Sequence, residues 1–64
     1  MNLLNQRATA AYLSISERTL ERWRVTGTGP AFCKLNRRVM YRETDLIEWI
    51  NGRVRHSTSE RYND

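Results

Sequence analysis

The first apolar positions of the chain are a leucine pair at 3–4, and an alanine-rich stretch follows them after Asn5. Asparagine favours helix starts, because its side chain can accept a hydrogen bond from an otherwise unpaired backbone N–H. Alanine favours helix, and Ala8, Ala11 and Tyr12 have the i, i+3, i+4 spacing of one helical face. We therefore expect a first helix that opens at Asn5, with the leucine pair packing back over it.

A second helix is predicted from residue 17 to about residue 26. The triplet Ser14-Ile15-Ser16 interrupts the first helical pattern, and Ser16 is a favourable N-cap. Gly27 is suited to end this helix, because glycine readily adopts the left-handed conformation. Two helices separated by about three residues must cross steeply, which is the helix-turn-helix arrangement. Ile15 lies where such a turn needs an apolar anchor.

Two short β-prone runs follow, FCKL at 32–35 and VMY at 39–41, on either side of the polar residues 36–38. This pattern predicts a β-hairpin. Asn36 is suited to its turn, because asparagine tolerates a positive φ.

A third helix is predicted over residues 43–51, with acidic residues in its first turn and Gly52 as its stop. Its apolar face is formed by Leu46, Ile47, Trp49 and Ile50. The predicted fold is mainly α with a small β-hairpin, a winged helix-turn-helix. We expect one domain over residues 1–52 and a flexible polar tail over 53–64, which has almost no apolar content.

On the predicted second helix, apolar and charged residues lie on different faces. On a helical wheel at about 100° per residue, Leu20 and Trp23 share the core face. Arg18 and Arg22 lie close to the opposite side, together with Val25. This pattern is compatible with a helix that reads DNA, but equally with a solvated helix stabilised by local ion pairs.

A third stripe of this helix contains Glu17, Glu21 and Arg24. Glu21 and Arg24 are spaced i, i+3, which permits a weak pair, whereas the two glutamates at i, i+4 repel each other. A glutamate here could accept a hydrogen bond from cytosine N4, or it could repel phosphates and penalise wrong registers.

Length and charge favour a binding module. A chain of 64 residues buries only about 60% of the surface of its unfolded form, which leaves little scaffold for an enzyme cleft. Eleven basic residues against seven acidic ones give a net charge of +4, and ten of the bases are arginine. Arginine matches phosphate and guanine with its planar fork, so nucleic acid is the first expectation, before an acidic protein or a membrane surface.

Catalytic and metal-binding patterns are not found in the sequence. Cys33 is the single cysteine, which excludes an internal disulfide and a cysteine-rich zinc site, and His56 has no neighbouring ligand types. We expect no enzymatic activity, no catalytic or metal-binding residue and no cofactor. A chain without disulfides and without a long apolar run is expected in the cytoplasm, bound to DNA in the nucleoid and not to a membrane.

The candidate site residues are those that could contact DNA. Arginine can donate two hydrogen bonds to guanine and threonine can contact a thymine methyl group, so the base-reading candidates are Arg18, Thr19 and Arg22. The hairpin carries a second basic edge, whose arginines would neutralise phosphates or probe the groove width. The backbone and wing candidates are Arg24, Lys34, Arg37, Arg38 and Arg42.

The order of these segments also resembles a known group. The residues that carry the resemblance run from Leu3 to Ile50: LL at 3–4, AAYL at 10–13, SIS at 14–16, RTLERW at 18–23, Gly27, Pro30, RR at 37–38, YR at 41–42 and DLIEWI at 45–50. In this order they resemble the small winged helix-turn-helix proteins of the excisionase and AlpA-like group, relatives of the DNA-binding half of MerR regulators.

The resemblance implies that the second helix enters the major groove and that the wing lies against the minor groove or backbone. It further implies a role in phage or mobile-element excision or in transcription control, with DNA bending, cooperative self-association on adjacent sites, and a site-specific recombinase as a partner. Two positions depart from the group: Ala8 replaces the usual glutamate, and Asn36 replaces a frequent glycine.

The alternative to a DNA-binding function is a protein-interaction adaptor, such as an antirepressor or assembly factor, because a fold does not fix a function.

Overall fold

The computed structural model describes residues 2–56 and folds them into three helices and one three-stranded antiparallel sheet. The elements, in chain order, are β1 Leu3–Asn5, α1 Gln6–Leu13, α2 Glu17–Thr26, β2 Cys33–Leu35, β3 Arg38–Arg42 and α3 Glu43–Asn51. This architecture confirms the predicted winged helix-turn-helix class. Of the predicted tail, residues 57–64 lie outside the described part of the chain, and its flexibility stays a prediction.

The helix ends follow the local sequence signals. The Oδ1 atom of Asn5 accepts a hydrogen bond from the backbone N–H of Ala8 at 2.8 Å. The start of α1 is therefore capped even though residue 8 is alanine and not the glutamate usual in the resembling group. The hydroxyl of Ser16 accepts from the backbone N–H of Thr19 at 3.1 Å and caps α2. Gly27 ends α2 with φ 72°, in the left-handed region that glycine favours. These three predicted caps are confirmed.

The leucine pair at 3–4 forms a strand, which the sequence did not predict, and Leu4 packs against the core that contains Ala10 of the first helix. β1 pairs antiparallel with β3, with Leu3 opposite Arg42 and Leu4 opposite Tyr41, and the sheet order is β1-β3-β2. Leu4 packs against the core, whereas Leu3 is 44% exposed. Three residues are too short to show the alternation of a strand, so the sequence could not indicate this pairing.

The hairpin forms with a shorter tip than expected. Leu35 pairs with Arg38, which therefore begins β3 and leaves Asn36 and Arg37 as the turn. Asn36 has φ 58°, which confirms its predicted positive value.

The core lies between the sheet and the three helices. Leu20, Tyr41 and Leu46 are completely buried there, and Ala10 of α1 is nearly so. The partly buried residues packed around them are Leu4, Leu13, Ile15, Trp23 and Val39. The predicted core roles of Leu20 and Trp23, and of Ile15 in the turn, are thereby confirmed.

The buried face of α1 differs from the one that its alanines indicated. Ala8, Ala11 and Tyr12 are exposed, and the helix instead buries Thr9 and Ala10. Alanine spacing marks helix propensity, but a methyl group contributes too little apolar area to decide which face of a short helix is buried.

Trp23 of α2 and Trp49 of α3 are in contact, with ring centroids 5.2 Å apart. Both are half-buried, and the guanidinium carbon of Arg53 lies 4.0 Å from the centroid of Trp49. These contacts join α2 to the end of α3, as the predicted packing role of both tryptophans requires.

No helix within residues 2–56 is long and apolar enough to cross a membrane.

Candidate nucleic-acid interface

The outward face of α2 is its arginine side. Arg18 and Arg22 are exposed on this face, and the side chain of Val25 is 87% exposed beside them. Leu20 is fully buried on the opposite side and Trp23 is half-buried, so the core fixes which way the helix faces. No hydrogen bond or ion pair within residues 2–56 engages either guanidinium group. Both groups are therefore available to a ligand.

Thr19 lies at the edge of this face. Its side chain is half-buried, and its hydroxyl is 2.9 Å from the hydroxyl of Ser16. Thr19 thus takes part in the cap of α2 through both its hydroxyl and its backbone N–H. Its predicted contact with a base stays a prediction.

Arg24 links α2 to the sheet. Its Nη1 atom donates a hydrogen bond of 3.1 Å to the hydroxyl of Tyr41, and its side chain is half-buried. The weak pair that the i, i+3 spacing of Glu21 and Arg24 permits does not form. Since a guanidinium has five N–H donors, the bond to Tyr41 leaves donors for the predicted phosphate contact.

The two glutamates of α2 are bound by a residue of α1. The side-chain Nε2 of Gln6 donates to Glu17 at 3.0 Å and to Glu21 at 2.9 Å. The repulsion expected between two carboxylates at i, i+4 is therefore offset by an amide that lies between them.

The wing presents a second basic edge. Lys34, Arg37 and Arg38 are exposed on β2, the turn and the start of β3. Among the described residues no hydrogen bond or ion pair engages their charged groups. The bond between Arg24 and Tyr41 holds the strand of this hairpin against α2, so the two basic regions belong to one packed unit.

Arg42 differs from the other bases of the wing. Its Nε and Nη2 atoms donate to the two carboxylate oxygens of Asp45 at 2.6 and 2.9 Å. This hydrogen bonding and the negative charge of Asp45 raise the pKa of Arg42 above its usual value. Like any arginine, Arg42 is charged at physiological pH, but Asp45 compensates its charge. Its predicted phosphate contact stays a prediction.

These features agree with a comparison against known families, in which the model for a helix-turn-helix domain matches residues 3–54. The chain belongs to the helix-turn-helix domain family. Helix-turn-helix domains of this kind place their second helix against DNA, which indicates double-stranded DNA as the partner. No curated protein matches the chain significantly.

Two residues of this helix-turn-helix domain were missed as functional candidates. Val25 lies on the arginine side of α2. An apolar residue on the outward face of the helical wheel could have marked it as a candidate contact. Gln6 contacts residues 11 and 15 positions away, so no local pattern could reveal its role.

Metal-binding geometry does not occur in the described part of the domain. Residues 2–56 contain no group of three or more histidine, cysteine, aspartate or glutamate side chains that could hold a metal ion. Cys33 is a free, half-buried thiol in β2.

Proposed function

We propose that this helix-turn-helix domain is a sequence-specific double-stranded DNA-binding protein without enzymatic activity. In this proposal α2 lies in the major groove and the hairpin tip contacts the adjacent backbone or minor groove. The observation that carries it is the outward face of α2, where Arg18 and Arg22 are exposed and unengaged within residues 2–56 while Leu20 is fully buried behind them.

Direct readout would come from the arginine side of α2. Arg18 and Arg22 each have a guanidinium fork that can donate two hydrogen bonds to guanine O6 and N7. Val25 lies beside them and offers two methyl groups for contact with a thymine methyl. Thr19 adds a methyl group at the edge, since its hydroxyl is already engaged by Ser16.

Sequence-independent affinity would come from the wing. Lys34, Arg37 and Arg38 are exposed cations on a hairpin, and cations that bind phosphates release condensed counterions. Each such contact makes the binding constant fall more steeply with salt. Arg24, held half-buried against Tyr41, would add a phosphate contact close to α2.

The biological role that the excisionase resemblance favours is architectural. The protein would direct excision or integration by a site-specific recombinase of a phage or mobile element, or regulate a promoter, in the cytoplasm at the nucleoid. The same resemblance favours several copies bound cooperatively to adjacent sites.

The decisive experiment compares Arg22→Ala with Arg37→Ala on a site selected from random DNA. Arg22→Ala should cost about 1–3 kcal/mol on the selected site and little on unrelated DNA, because it removes a base contact. Arg37→Ala should weaken binding to all sequences alike and reduce the slope of log K against log salt by about 0.9, because it removes one phosphate contact. Gel-shift titrations at several salt concentrations measure both quantities.

Arg53→Ala is the matched control, since it removes the same charge from the Trp49 side of α3. It should leave sequence preference unchanged and alter the salt slope less than Arg37→Ala. Equal losses for all three variants would indicate a simple charge effect. A wild-type protein that DNA does not retain at any salt concentration would favour the adaptor function instead.

A further inference from the structure

The side-chain amide of Gln6 is saturated by two carboxylates of α2. An amide nitrogen carries two N–H groups, and here one reaches Glu17 and the other reaches Glu21, at 3.0 and 2.9 Å. Gln6 is the first residue of α1, and its side chain is half-buried. The contact therefore ties the start of α1 to the first two turns of the helix that we propose reads DNA.

The amide positions these glutamates but leaves their negative charges in place. Within residues 2–56 the salt bridge joins Arg42 to Asp45, and neither Glu17 nor Glu21 is paired with a cation. Both glutamates are exposed. Two uncompensated charges on a DNA-binding helix reduce affinity for any phosphate backbone, so they need a compensating use.

Their place on α2 indicates that use. At about 100° per residue, Glu21 lies about 40° from Val25 and about 60° from Arg18 around the helix axis. The outward surface of α2 is therefore divided into an arginine side and an acidic flank formed by Glu17 and Glu21. Arginine donates hydrogen bonds and a carboxylate accepts them, so the two sides suit opposite base edges.

We propose that Gln6 is a positioning residue that holds this acidic flank in place, so that the flank selects bases with an amino group in the major groove. This inference rests on the proposed DNA-binding function. Cytosine N4 and adenine N6 donate hydrogen bonds there, whereas guanine and thymine present oxygen acceptors that a carboxylate repels. The flank thus favours amino bases and penalises oxo bases at the position it faces.

The contribution of Gln6 is to restrict the two side chains. A free glutamate samples several rotamers and loses that freedom on binding, which weakens the contact it makes. With one oxygen of each carboxylate bound to Gln6, the other oxygen remains free to accept from a base. The flank is thereby ordered before DNA arrives.

The test uses binding sites selected from random DNA by the wild-type protein. One position, beside the guanine contacts, should prefer cytosine or adenine over guanine or thymine by about five-fold or more. Replacing that base by its analogue without the amino group, 2-pyrimidinone for cytosine or purine for adenine, should remove the preference. Gln6→Met, which keeps the side-chain volume but donates no hydrogen bond, should reduce the preference below about two-fold and leave the salt slope unchanged.

The double variant Glu17→Gln/Glu21→Gln is the reference background. Adding Gln6→Met to it should cause no further loss of preference, because the residue acts through the glutamates. Gln6→Asn, shorter by one methylene, is the second variant should Gln6→Met unfold, which urea titration reveals. The proposal would be overturned if both Gln6 variants kept the full base preference. It would also be overturned if Gln6→Met reduced that preference by the same factor in the Glu17→Gln/Glu21→Gln background. In either case DNA binding itself would stand. A wild-type protein that DNA does not retain would instead refute the proposed function.

Discussion

At the scale of single residues, one buried polar atom sets Thr9 apart from the apolar core. The residue is completely buried, and its hydroxyl has no hydrogen-bond partner among residues 2–56. A buried hydroxyl left without a partner costs about 1–3 kcal/mol. Thr9 therefore lowers the stability of a domain that is already small.

We expect Thr9→Val to raise the free energy of unfolding by about 1 kcal/mol. Valine has nearly the same shape and a similar helix propensity, so the change removes the unpaired hydroxyl without opening a cavity. Thr9→Ser is the matched control, because it keeps the hydroxyl and loses the methyl group, and it should lower stability. Urea unfolding measures both variants, and a less stable Thr9→Val protein would refute the interpretation.

Single-residue signals in the sequence succeeded where their cause is local. Asn5, Ser16, Gly27 and Asn36 act on backbone within a few positions, and all four were predicted in the roles that the structure gives them. The burial of Thr9 was not predictable, since it depends on how α1 meets residues that are distant in the sequence.

At the scale of elements, the turn between α1 and α2 contains a strained residue. Ser14 closes α1 with φ 59°, in the left-handed region, and its backbone N–H donates to the carbonyl of Ala11 at 3.2 Å. For a residue with a side chain this conformation costs about 1–2 kcal/mol. The helix-turn-helix geometry is thus obtained with some backbone strain.

Ser14→Gly should relieve this strain and raise the free energy of unfolding by up to about 1 kcal/mol, after the greater freedom of glycine in the unfolded chain is subtracted. Ser14→Ala serves for comparison, because it retains the strain and should not stabilise the domain. Thermal unfolding followed by circular dichroism would distinguish the two. If glycine and alanine had the same effect, strain at this position would be refuted.

The elements themselves were predictable to different degrees. The three helices and the hairpin were predicted from caps, turns and apolar spacing, and the predicted bounds of α3 agree with the structure. β1 was missed because its partner strand lies more than thirty residues away in the sequence. The arginine side of α2 was predictable because the helix period fixes it, whereas the partners of Arg24 and Gln6 required the fold.

At the scale of the whole molecule, Trp23 is the residue where three segments meet. It belongs to α2, contacts Trp49 of α3, and packs against Gly29 in the connection to the hairpin. A Cβ atom added to Gly29 would lie 2.8 Å from the Cβ of Trp23 and 2.9 Å from its Cε3. Close approach to the indole therefore requires glycine here.

We expect Gly29→Ala to lower the free energy of unfolding by about 1–3 kcal/mol, because the added methyl group displaces Trp23 and the elements packed on it. Gly52→Ala is the matched control: its nearest contact would be at 3.5 Å, and its φ of −68° is accessible to any residue. It should be nearly neutral. Urea titration compares the two variants. Equal free energies of unfolding would show that Trp23 can move away from the added methyl group without loss of stability.

The contact between Trp23 and Trp49 also gives the protein an internal optical reporter. These are the two tryptophans of the chain, so all of its indole absorbance arises from a single junction between α2 and α3. Near-ultraviolet circular dichroism and intrinsic emission will consequently report the position of α2 relative to α3, without an attached dye. A duplex that shifts α2 on binding should alter these spectra, and one that binds it as a rigid body should not.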